Sequence, residues 1–106
     1  VHLGDIAGSA QMNLDDTREK IHLQITQSQF KVKEAQKKLN MAMKNIASAE
    51  ENLRCANLGF KEGVMEVTDV MAAQTAWQKA QSQKIDAEID VKLTQVGLNK
   101  ALGILQ

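Results

Sequence analysis

The chain has 106 residues, with 13 basic residues against 13 acidic ones, two Phe, one Trp, no Tyr and no Pro. So even a charge balance excludes general electrostatic attraction to nucleic acid or to anionic lipid, which needs a basic patch. No apolar run approaches the roughly 20 residues that cross a bilayer as a helix, so no membrane-spanning segment is expected.

Strong helix formers, few aromatics and no proline predict long helices rather than a compact aromatic core. The first residue is Val1, and neither an initiator Met nor a leader pattern precedes the body. The chain therefore reads as a piece of a larger protein. Residues 1–11 contain Gly4 and Gly8 and lack a helical period. They are expected to be a loop or a frayed end, leaving residues 12–106 as a single domain.

From about residue 12 to 62 a heptad pattern predicts the first helix. The large positions are Ile25, Val32, Leu39, Ile46, Leu53 and Phe60, alternating with Ile21, Ser28, Ala35, Ala42, Ala49 and Ala56. Alternate spacings of four and three are the signature of a coiled-coil seam. A turn is expected at about 63–67. Gly63 can take the left-handed conformation that ends a helix, Thr68 is a suitable N-cap, and Asp69 then lies in the first turn, where the dipole favours an acid.

The second helix, about 68–104, repeats the scheme. Val70, Trp77, Lys84, Val91, Leu98 and Leu105 form its large set, and Ala73, Ala80, Ala87, Thr94 and Ala101 its small one. Lys84 can lay its methylenes along the seam and keep its ammonium in water. Folding the chain back at the turn pairs Phe60 with Val70, Leu53 with Trp77, Ile46 with Lys84, Leu39 with Val91, Val32 with Leu98 and Ile25 with Leu105. Ala56 then faces Ala73, Ala49 faces Ala80, and Ala42 faces Ala87. Layers of large and small side chains interdigitate, and the alanines permit close approach. The predicted fold is all-α, a long antiparallel coiled-coil hairpin. Residues before about 24 overhang the second helix.

Further apolar residues lie off this seam: Leu23, Phe30, Met41 and Leu58 on the first helix, and Met71, Ile85, Ile89, Leu93 and Val96 on the second. They predict a second helical neighbour and a bundle or barrel of several hairpins. The connection Val64-Met65-Glu66-Val67 is unusually apolar for an exposed tip, which points to a partner there.

No catalytic constellation emerges. His2 and His22 are too far apart for a helical metal pair and are expected to be exposed; Asp86 and Asp90 lack the Glu-x-x-His partners of a di-iron bundle. The acids are expected in surface pairs, Glu50 with Arg54 and Glu88 with Lys92. Cys55 is the sole cysteine, so no internal disulfide is available, and it is expected to be a small buried hydrophobe or, if exposed, an intermolecular link. There is no phosphate loop and no nucleophile triad. Neither an enzyme, a cofactor nor a metal site is expected.

The stretch from Ala49 to Gly103 carries a recognisable order of pieces: Ala49-Glu50-Glu51-Asn52-Leu53-Arg54, Phe60-Lys61-Glu62-Gly63, Thr68-Asp69-Val70, Ala73-Gln74 and Ala101-Leu102-Gly103. In these it resembles the outer-membrane efflux protein family of TolC-like channels. The resemblance implies one periplasmic hairpin of a homotrimeric Gram-negative channel, in which helices form a barrel below strands seated in the outer membrane. It implies efflux or type I secretion, driven by an inner-membrane pump through a periplasmic adaptor protein. Gly63, Val64, Met65 and Glu66 would form the adaptor-docking tip, and Asp69 matches an acidic position at the channel entrance. The chain departs from the pattern at Ala72, where a second acid is expected, and at Met65, where a basic residue is expected. Two other readings stay open at this point: the hairpin of a periplasmic adaptor, and a structural coiled coil with no transport role.

Overall fold

A computed structural model describes residues 3–104. They form α1, Leu3–Lys61, and α2, Val67–Gly103, joined by a short turn, and the protein is an all-α helical hairpin. His2 and Leu105, and with Leu105 its expected partnership with Ile25, lie outside the described residues.

Helix α1 begins at Leu3, well before the expected start at about residue 12. Once a helix is nucleated, each added residue gains a backbone bond, and two separated glycines cost about 1 kcal/mol each relative to Ala without breaking the ladder. Local side-chain bonds add to it: Thr17 Oγ1 donates to the Asn13 carbonyl at 2.8 Å. Every residue from 3 to 20 is exposed, so this stretch is helix without packing.

The described residues divide into two compact units, one of residues 34–92 and one that groups 3–33 with 93–104. In the first, Ala35, Ala42, Ala49, Ala56, Val70 and Ala80 are buried, with Ala35 only 2% exposed. Leu39, Ile46, Leu53, Ala73, Trp77, Lys84, Ala87 and Val91 are half-buried between them. One groove of this unit is lined by Lys38, Met41 and Ala42 from α1 and by Asp86, Ala87 and Asp90 from α2, which brings the alanine layer of residues 42 and 87 to one place. In the other unit Ile25, Val32 and Ala101 are buried and Ile21, Ser28, Thr94 and Leu98 half-buried. Burial thus recurs at heptad spacing, and it is deepest at the small residues. A methyl group fits wholly beneath a facing helix, whereas a leucine at the neighbouring position projects past it.

One large heptad position departs from the scheme. Phe60 is 50% exposed, and the buried residue in that turn is Gly59. The chain reverses here, and the Met65 side chain seats against Gly59, so the seam closes on a glycine and Phe60 is left outside.

Lys84 is half-buried, with its Nζ 3.7 Å from Glu88. That pair replaces the expected partnership of Glu88 with Lys92, because Lys84 leaves the seam toward the turn that Glu88 occupies. Arg54 likewise pairs with Glu51 rather than Glu50, Nε donating at 3.0 Å and Nη2 at 2.6 Å. Spacing of three lets the planar guanidinium meet both carboxylate oxygens. Arg54 beside it lowers the Glu51 pKa, first by this hydrogen bond and then by charge. The pair therefore contributes above the ordinary carboxylate range, and its contribution is lost as pH falls through the lowered value. Both groups are exposed, so water screens the contribution.

Among the described residues no large side chain is fully buried. Leu23, Phe30, Met41, Leu58, Met71, Ile85, Ile89, Leu93 and Val96 are all exposed. A single seam buries one stripe of each helix and leaves the rest of the apolar surface in water.

The burial pattern sets an asymmetric sensitivity to substitution. Ala35→Leu is expected to lower stability by about 1–3 kcal/mol through overpacking. Leu23→Ser, on the exposed face, should change stability by less than about 0.5 kcal/mol in the dilute chain. Urea unfolding followed by circular dichroism measures both.

Candidate functional site

The tip is built by two helix ends. Gly63 has φ +76°, the left-handed conformation that a side chain disfavours. Its N–H donates to the Phe60 carbonyl at 3.1 Å, and the Val64 N–H donates to the Gly59 carbonyl at 2.8 Å. These are the paired bonds of a Schellman motif, and they satisfy carbonyls that the last turn of α1 leaves open. The Met65 N–H adds a third bond, to the same Gly59 oxygen at 3.1 Å.

A glycine at position 59 allows this closure. A Cβ added there would lie 2.8 Å from both Cγ and Sδ of Met65, and 3.2 Å from its Cβ. Sequence reasoning missed Gly59 as a tip residue. The signal was its place four residues before Gly63, where a Schellman motif seats an apolar contact from beyond the turn.

The second helix starts on Glu66, not on Thr68. The Glu66 N–H donates to Asp69 Oδ2 at 3.0 Å, the reach-back half of a capping box, with Asp69 at the third helical position. Thr68 lies too far into the first turn to cap it; its hydroxyl instead stands 3.5 Å from Glu66 Oε2. Asp69 therefore has a local task as an exposed cap, and its negative charge sits at the favourable end of the helix dipole.

Between these caps the apolar side chains face water. Val64 is 78% exposed, Val67 53% and Met65 41%, and Glu66 is also exposed. Phe60 and Leu58, both about half exposed, lie one turn below on α1. The tip is thus a rigidly closed turn that displays valines.

Away from the tip, Cys55 is exposed rather than buried, because it falls outside the seam beside Ala56. Its Sγ donates to Glu51 Oε1 at 3.6 Å. His22 is exposed. Among the described residues no group of three His, Cys, Asp or Glu side chains could hold a metal ion, and no helix is long and apolar enough to cross a membrane.

The described residues thus form a heptad hairpin with an apolar, doubly capped tip and exposed apolar residues on both helices. The sequence profile of the family described as outer membrane efflux protein matches residues 7–104, and the chain belongs to that family. Its members are outer-membrane transport channels, not enzymes. No match is found among curated proteins or among solved structures.

Each cap has a measurable cost of removal. Asp69→Ala is expected to destabilise the hairpin by about 0.5–2 kcal/mol, the range for losing a cap. Gly63→Ala should cost about 1–2 kcal/mol by forcing a side chain into the left-handed region. Shifts in the urea midpoint at unchanged slope are the readout; a midpoint within error of the parent chain for both would contradict the tip geometry.

Proposed function

We propose that the chain supplies a periplasmic helical hairpin of a trimeric outer-membrane channel for efflux or type I secretion in a Gram-negative cell, and that its tip docks a periplasmic adaptor protein. Membership of the efflux family supports the channel role. The observation that carries the docking role is the tip itself, where Val64, Met65 and Val67 stand exposed on a turn closed by caps on both sides. Preformed turns lose little entropy on binding, and exposed apolar side chains give the contact its driving force. A long hairpin partner from the adaptor, itself joined to an inner-membrane pump, suits such a surface. Glu66 adds one charge that can set register.

The uncovered apolar residues of both helices support packing of neighbouring hairpins into a barrel, with the subunits of a homotrimer contributing equivalent faces. In that assembly Asp69 stands near the periplasmic mouth, and its symmetry copies form an acidic ring that favours cations. With Ala72 one turn on, the ring is single.

The decisive experiment places a cysteine at Val64 in a Cys55→Ser background, in cells that also make the cognate adaptor. A benzophenone-maleimide attached to this thiol is expected, on irradiation, to insert into a C–H bond of the adaptor and link the two proteins, and the same reagent on Leu23→Cys is not. Equal linking from both positions, or none from the tip, would remove the docking role.

A further inference from the structure

Met65 differs from the chain's other methionines. Met12, Met41, Met43 and Met71 lie within helices and are 50–69% exposed, whereas Met65 is 41% exposed and sits in the turn. Its sulfur and Cγ occupy the space a Cβ on Gly59 would need, at 2.8 Å from that position. The same residue's N–H, with that of Val64, is bonded to the Gly59 carbonyl. Side chain and backbone of the turn therefore converge on one glycine.

We propose that Met65 is a peroxide-sensitive modification site, a latch whose thioether holds the tip closed and whose sulfoxide releases it. A sulfur lone pair attacks one oxygen of hydrogen peroxide, the O–O bond breaks, and an S–O bond forms. Sulfur gives up two electrons, and the departing hydroxide takes the proton from the new S–OH to leave as water. The product is a polar, tetrahedral sulfoxide in place of a flexible apolar chain. Partial exposure gives the oxidant access. The sulfoxide oxygen is strongly polar and the Met65 side chain is already 41% exposed, so the oxidised side chain moves from its seat against Gly59 toward water. With the thioether gone, the Val64 and Met65 N–H groups keep their bonds to the Gly59 carbonyl but lose the side-chain contact that seats them there.

The other four methionines have continuous helix on either side, so their oxidation leaves the turn as it was. The latch stands on the geometry of the turn alone; that its release changes adaptor capture rests on the docking reading above, and the test below does not use the adaptor.

The full chain is treated with graded hydrogen peroxide, and sulfoxide at each methionine is followed by peptide mass spectrometry alongside amide hydrogen exchange at residues 64–66. Once Met65 is oxidised, exchange at Val64 and Met65 is expected to quicken about fivefold or more, the effect of about 1 kcal/mol of lost packing. Oxidation confined to the other four should leave it unchanged. Met65→Leu, which fills the notch and cannot form a sulfoxide, should keep exchange slow before and after peroxide. Gly59→Ala should reproduce the fast exchange with no oxidant. Complete sulfoxide at Met65 with unaltered exchange, acceleration that persists in Met65→Leu, or slow exchange in Gly59→Ala would each overturn the proposal.

Discussion

The close approach of two helices at alanine layers governs this molecule. Ala35, Ala42, Ala49 and Ala56 are buried along α1, while Leu39, Ile46 and Leu53 between them are only half-buried. Alanine loses no side-chain entropy on burial and is the best helix former, so the same residue serves propensity and packing. Larger side chains at these layers would hold the helices apart and expose the leucines further. The seam is accordingly thin. It fixes register but buries little, and the apolar faces left in water are the ones a neighbouring hairpin can cover.

That register decides where the chain can turn, and the turn decides what the tip displays. The last close layer of α1 is Ala56 followed by buried Gly59, and the nearest contact to Gly59 comes from Met65 beyond the turn. Gly63 supplies the left-handed step, Gly59 accepts the returning backbone, and Asp69 starts the next helix from the other side. The turn thus forms a fixed surface between the two helix ends, and its valines are exposed while the Val64, Met65 and Glu66 N–H groups are bonded within the turn itself.

The hairpin was legible because heptad spacing is a direct statement of which residues share a face. Ile25, Val32, Ala42, Val70, Ala80 and Ala101 are buried where the repeat puts them. Features governed by backbone geometry at the ends were less legible. Thr68 has the better side chain for a cap, yet the turn delivers Glu66 to the capping position, so the reach-back bond from Asp69 takes precedence. Phe60 obeys the repeat but lies where the repeat stops. Residues 3–11 have no apolar period and are helical all the same, since an established helix propagates without a partner. Cys55 was expected to be buried on its residue type alone, whereas its position beside Ala56 puts it outside the seam and exposed.

Engineered disulfide formation across the alanine layers tests the antiparallel register most directly. In a Cys55→Ser chain, cysteines introduced at Ala49 and Ala80 should close into an intramolecular disulfide under mild oxidation, seen as loss of both thiols with helicity retained. A control pair at Ala49 and Met71 should stay reduced. A reduced 49–80 pair in a fully helical chain, or equal closure of the control, would contradict the register on which the hairpin and its tip both rest.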